Sequence, residues 1–204
     1  MARVTTKTGV ANLAISLLKG NPVTSIDPPD RGSKVAKAAA QWYDDARREA
    51  LSETDWDFAL KRTQISSSTA PAFGWSAAYQ LPSDYIRLSS IGDEKNPLTE
   101  KDYKVENGFI LCNEAAPLNV IYVYDVEDIT KFSPKFLVAF AKKLASYIAA
   151  AVTGSLNMAA GLGELSEIDM SVAKTQDAQQ TPPRKVTRSR WAQARDRGQT
   201  ERFQ

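Results

Sequence analysis

The chain has 204 residues, 43% apolar and 25% charged, with a formal net charge of +2, one cysteine and no histidine. A lone Cys112 excludes an intrachain disulfide and a cysteine-rich zinc site. The lack of histidine removes the commonest general base and the commonest metal ligand, which lowers the expectation of an enzyme.

The opening MARVTTKTGVANLAISLLKG lacks a signal-peptide apolar region and cleavage site. No stretch reads as the roughly 18 apolar residues of a membrane span. A soluble chain without a membrane anchor, made inside the cell, is expected.

In chain order, Val10 to Leu18 reads as a short helix with Val10, Leu13, Ala14, Leu17 and Leu18 on its apolar face. Lys19-Gly20-Asn21-Pro22 stops it. A second helix runs from Lys34 to about Leu51, capped by Asp30 or Ser33. Its inward stripe is Val35, Ala38, Ala39, Trp42, Tyr43, Ala46 and Ala50, with Asp44, Asp45, Arg47, Arg48 and Glu49 as a mostly solvated face. Trp56 and Phe58 follow as aromatic packing groups.

From about residue 60 the pattern changes to strands. Tyr103–Glu106 and Phe109–Asn113 flank Asn107-Gly108, a dipeptide suited to a tight hairpin turn. LNVIYVYDV is the clearest single strand. A small, mostly antiparallel sheet between about 60 and 126 is expected.

Ser133 and Pro134 then open a strongly amphipathic helix. Its stripe is Leu137, Phe140, Leu144, Ile148 and Ala151, widened by Phe136, Tyr147 and Val152, with Lys142 and Lys143 opposite. Thr153-Gly154-Ser155 interrupts it, leaving either a kink or a reversal. A further helix carries Leu156, Ala159, Leu162, Leu165, Ile168 and Val172 to about Gln179.

The predicted fold is α+β: a bundle of about four helices, an inserted antiparallel lobe and an extended basic tail. Residues 1–59 and 127–179 form the two parts of the bundle, 60–126 the lobe and 180–204 the tail. Trp42, Tyr43, Trp56, Phe58, Phe140, Leu144 and Ile148 are the predicted core residues, and Asn107 and Gly108 the turn. Residues 184–202 carry seven basic and two acidic side chains, leaving 19 basic and 22 acidic elsewhere, so a +5 tail hangs from a −3 body. Such asymmetry points to a charged partner. The tail reads equally as a nucleic-acid arm with Trp191 for stacking or as a docking segment with an aromatic anchor.

No phosphate-binding glycine loop, dinucleotide fingerprint, zinc-protease helix or serine elbow is present. Gly161 and Gly163 fall within a helical pattern without a preceding strand. Asp55 with Asp57, and Glu164, Glu167 and Asp169, are weak metal candidates better read as solvated acids. Cys112 reads as a small apolar strand residue. No catalytic, cofactor or metal residue is assigned.

Taken in order, several pieces are similar to one family. They include Asn12, Leu13, Ala14 and Leu18; Pro22 and Ser25-Ile26; Ala38, Tyr43, Arg47 and Leu51; and Trp56, Phe58-Ala59 and Arg62. Tyr79-Gln80-Leu81-Pro82, Asp84 and Arg87-Leu88 follow, then Tyr103, Val105-Glu106, Ile110-Leu111 and Tyr122. Leu144-Ala145, Thr153-Gly154-Ser155 and Asp177-Ala178 complete the series. Over residues 9–179 the chain resembles the head-to-tail adaptor of short-tailed bacteriophages, the tail tubular protein A family.

The resemblance implies a non-enzymatic virion protein, assembled in the host bacterial cytoplasm. It implies a ring of copies, like a dodecamer, at the tail–portal junction. The implied partners are the portal protein, the tail nozzle (tail tubular protein B) and the tail fibres, with double-stranded DNA passing without sequence-specific binding. Arg184, Lys185, Arg188, Arg190, Trp191, Arg195, Arg197 and Phe203 would then dock on the portal. A head-completion connector of long-tailed phages and a basic-tailed nucleic-acid-binding protein are the alternatives.

Overall fold

The computed structural model describes residues 4–66, 69–71, 73–93 and 96–180. Helix α1 spans Lys7–Leu17, and the Thr6 hydroxyl caps it by accepting from the Gly9 N–H at 3.0 Å. The connection to α2 is pinned by side chains. Asn12 donates to the Val23 carbonyl at 3.0 Å and accepts from its N–H at 2.8 Å. The Asp30 carboxylate accepts from the N–H groups of Thr24 and Ser25. Asp30 therefore holds the loop, and Ser33 caps α2, Lys34–Ser52.

Seven strands follow: β1 Leu60–Ile65, β2 Ala77–Gln80, β3 Tyr85–Asp93, β4 Asn96–Pro97, β5 Tyr103–Glu106, β6 Phe109–Cys112 and β7 Leu118–Tyr124. They form two small antiparallel sheets where one was expected. The first has the order β1-β7-β3, with the two-residue β4 paired to the end of β3; the second has the order β2-β6-β5. Pro82 lies between β2 and β3 and has no N–H for a ladder. The chain turns there, and the two strands enter different sheets. The Asn107-Gly108 turn is present, with φ of 49° and 77°, both in the left-handed region that a two-residue hairpin turn requires.

Helix α3, Pro134–Thr153, has Ser133 as its N-cap and Gly154 as a left-handed C-cap with φ of 69°. Helix α4, Leu156–Gln180, then folds back along it. The joint at Gly154 is thus a reversal: Ser166 donates to the Ala139 carbonyl at 3.1 Å, and Lys142 pairs with Asp169 at 2.6 Å. The fold is α+β, four helices with two small sheets.

Two apolar cores result. The larger gathers all four helices with Trp56, Val123, Val126 and Phe132. The smaller lies among the strands around Tyr79, Ile91, Ile110, Cys112 and Tyr122. Strand β7 serves both, with Leu118, Val120 and Tyr122 in the smaller core and Val123 in the larger. Tyr43, Trp56, Phe140, Leu144 and Ile148 are buried as expected, and Phe58 is partly buried. Ring contacts run from Trp56 and Phe58 through Phe132 and Phe136 to Phe140 and Tyr43.

Four expectations are corrected. Trp42 is 37% exposed and stacks on Tyr147 at 5.5 Å. Ala39, Ala46 and Ala50 fill the inner face of α2, and so close an approach leaves no room for an indole beside Tyr43. In α1, Ile15 and Ala11 are buried while Leu17 is 40% exposed. Arg47 is buried, not solvated. In α4 the inner face is Leu162, Ser166, Met170, Ala173 and Asp177, and Leu156, Leu165, Ile168 and Val172 lie outside.

Helix α3 is, among the described residues, long and apolar enough to cross a membrane, with mean hydropathy 1.5, which the sequence reading did not expect. It is the central helix of the larger core, and half of that stretch is buried inside the protein.

Candidate interaction surfaces

Charged side chains lock the elements together. Arg47 of α2 donates through Nε and Nη2 to Asp125 at 3.2 and 2.9 Å, and through Nη1 to Asp44 at 2.6 Å. This guanidinium fixes the helix to the exit of β7, its Nε and Nη2 converging on one oxygen of Asp125. Arg87 and Ser89 of β3 both donate to Asp55. Lys61 and Tyr122 converge on Asp84 at 2.6 and 2.8 Å. Partial burial pulls the Asp84 carboxyl up, but the hydrogen bonds from Lys61 and Tyr122 outweigh it and hold the group below its ordinary range.

These partners account for the weak metal candidates. Asp55 is taken by Arg87 and Ser89. Asp169 is held by Lys142. Lys142 and Lys143, expected on a solvated side, instead reach neighbouring helices, Lys143 pairing with Glu49 at 2.8 Å. Among the described residues, no three Cys, Asp or Glu side chains gather as a metal site. Cys112 is buried, which pushes its thiol pKa up and disfavours the nucleophilic thiolate.

A cavity of about 310 Å³ lies between α2, α3 and α4, lined by Glu53, Lys143, Glu167, Met170 and Lys174. Lys143 and Lys174 both pair with Glu53 in its wall. Lys174 hydrogen-bonds Glu53 at 2.9 Å, which is the main reason that carboxyl sits below its ordinary value.

The outer flank of α4 has no such closure. Leu165, Ile168 and Val172 are 48%, 59% and 46% exposed, and Val138 of α3 beside them is 45% exposed. Pro134, Lys135, Val138, Asp169 and Val172 line a groove of about 360 Å³ there. Met158, Gly161, Leu165, Ile168, Val172 and Thr175 recur with alternating three- and four-residue steps, the heptad seam by which one helix packs on another. That spacing was present in the sequence, but it was assigned to the core because hydrophobicity alone does not say which partner buries a side chain. A second apolar face is the Trp42–Tyr147 stack. Tyr147 donates to Glu49, and the nearby charges of Glu49 and Asp45 add to burial in raising the phenol pKa.

The proposed docking residues Arg184, Lys185, Arg188, Arg190, Trp191, Arg195, Arg197 and Phe203 lie outside the described residues. Gln180 closes α4 where that segment begins. No protein-family model matches the chain, and no curated protein is significantly similar to it.

Proposed function

We propose that this chain is a structural virion protein, a ring-forming head-to-tail adaptor that joins the portal to the tail nozzle and lines part of the DNA passage. The observation that carries the reading is the α4 flank: aliphatic side chains at heptad spacing stand exposed among the described residues of a single copy. Large aliphatics presented on one helix seam favour association. The ordered residue pattern over 9–179 supplies the kind of assembly.

In this reading the chain does no chemistry. The helices form the body of the ring and the strands project beside them. The +5 segment after Gln179 steers toward an acidic surface of the portal, and Trp191 anchors it.

Electron microscopy of the purified chain, alone and with portal rings, tests the proposal. Rings that dock coaxially on the portal are expected. Truncation after Gln179, or Trp191→Ala, should weaken portal capture and leave subunit folding intact. Full capture by the truncated chain would remove the tail from the proposal. Salt-sensitive binding of the tail to bare duplex, weakened with each arginine removed, would favour the DNA reading.

A further inference from the structure

Gly161 lies inside α4, exposed, in the middle of the heptad seam. A glycine in a helix interior costs about 1 kcal/mol relative to alanine. Such a residue usually makes room for a close neighbour, yet a Cβ built at Gly161 would meet nothing within 4 Å. Within one copy, no described atom uses the gap. Met158 on one side and Leu165 on the other make it a notch in an apolar ridge.

Among the described residues, Phe73 and Trp42 are the exposed large aromatics, and Trp42 is the one held on a helix. Trp42 presents an exposed indole, braced from behind by Tyr147. The notch and the indole face different ways. Val138, which borders the seam, and Tyr147, which carries Trp42, are nine residues apart on α3. At about 100° per residue they point about 180° apart. A copy therefore carries the ridge on one side and the indole on the other. That arrangement cannot close on itself through one patch, but it repeats head to tail.

Length agrees and the charges are mixed, since the seam side carries Lys135 but also the exposed Glu164 and Glu167. Glu49 and Asp45 lie beside Tyr147, Glu49 already paired with Lys143 and Asp45 exposed. Lys135 borders the ridge, exposed and without a carboxylate partner among the described residues. Trp42 to Glu49 and Gly161 to Ile168 are equal seven-residue steps, each about 10 Å along its helix. With α2 of the second copy parallel to α4, an indole over Gly161 sets Glu49 level with Ile168, beside the groove that Lys135, Val138 and Asp169 line. The apolar ridge alone is of the order of a few hundred Å², short of the roughly 800 Å² per partner of a stable pairwise contact. The polar groups around the ridge add to that area, and closure of a ring lets every copy be held by two such contacts.

We propose that the α4 seam of one copy, with Val138, receives the Trp42–Tyr147 face of a second copy, the indole seating over Gly161. The proposal rests on the self-assembling reading and names the surfaces it uses.

Disulfide capture tests it. Trp42→Cys and Gly161→Cys are made separately in the full chain, alone and on portal rings, and exposed to oxidised glutathione. Cys112 is buried and does not compete. A covalent dimer should form when the two variants are mixed and not from either alone. Gly161→Leu is the second arm. It should raise the melting temperature of the subunit, since leucine favours helix, and weaken association at least tenfold by filling the notch. Dimers from Gly161→Cys alone would mean that seam meets seam and would overturn the proposal, as would tighter association of Gly161→Leu. Rings that persist in Gly161→Leu and Trp42→Asp would keep the adaptor reading and remove these surfaces. A wild-type chain that stays monomeric both in concentrated solution and on the portal would sink both.

Discussion

Asp177, near the end of α4, accepts a hydrogen bond at 2.8 Å from the backbone N–H of Asp57, 120 residues earlier in the chain. The contact fastens the last helix to the 3-10 turn Asp57–Ala59, beside the aromatic chain that starts at Trp56. Burial raises the Asp177 carboxyl above its ordinary 3.8, and the Asp57 N–H counters this only in part. The folded chain therefore keeps this proton at pH values where the unfolded chain has lost it. The stability linked to this group is fully present below the unfolded pKa and is lost as pH rises through the raised folded value. Asp177→Asn, which keeps an acceptor for Asp57, should match or exceed the wild type near neutral pH and lack that acid-side gain. Asp177→Leu takes the acceptor away and should cost about 1–3 kcal/mol. Urea unfolding of the three proteins between pH 3.5 and 7 checks the order; an asparagine variant weaker than the leucine one at pH 7 would contradict it.

Arg47 should be the most sensitive polar position. Its side chain is 3% exposed and its main partner, Asp125, 17% exposed. Arg47→Ala leaves that carboxylate with only the distant Arg48 at 3.9 Å. A loss of about 3–5 kcal/mol is expected, as for breaking a buried pair from one side. Arg47→Met combined with Asp125→Leu should recover most of it. A double-mutant cycle in urea measures the coupling, and additive losses would show that the pair is not a unit.

Leu144 is fully buried on α3, the helix that touches α1, α2 and α4. Leu144→Ala should cost about 2–5 kcal/mol through lost burial and a cavity. Leu144→Asp should abolish cooperative folding because its charge has no water there. A soluble aspartate variant with a wild-type melting curve would place the core elsewhere.

Gly108 has φ of +77°. A β-branched side chain there is strained by about 1–3 kcal/mol, so Gly108→Val should loosen β5, β6 and β2 first. Hydrogen exchange should quicken at Tyr79 and Ile110 while α3 stays protected. Equal loss of protection in α3 would mean that the two cores unfold as one.

The elements readable in the sequence were those with a local physical cause. Ser133-Pro134 and Gly154 bound α3 because cap chemistry acts within a few residues, and Asn107-Gly108 turns because few other pairs fit its φ values. The misassigned residues owe their places to distant neighbours. Arg47 is buried because Asp125 arrives 78 residues later. The inner face of α4 sets Ser166, Ala173 and Asp177 among Leu162 and Met170, because Ser166 reaches the backbone of Ala139 across a close helix contact. Leu165, Ile168 and Val172 were left to the flank, so for these residues hydrophobicity pointed to the wrong side of the helix. For the candidate surfaces, the heptad spacing was visible, but not that the described residues leave it uncovered.

Strands β1 and β7 run side by side, with Leu60 opposite Val123. The chain therefore leaves the helices and returns to them at nearly one point, and the bundle scarcely senses how much polypeptide lies between. Doubling the length of a flexible excursion adds only about 0.6 kcal/mol of closure entropy. The outer sheet β2-β6-β5 is thus an exchangeable cassette: its hairpin tip can lengthen, drift or accept a graft at Asn107-Gly108 while the helices keep their geometry. Related chains with the same helical frame should differ most in size and composition here, and a tag for imaging or capture belongs at this tip.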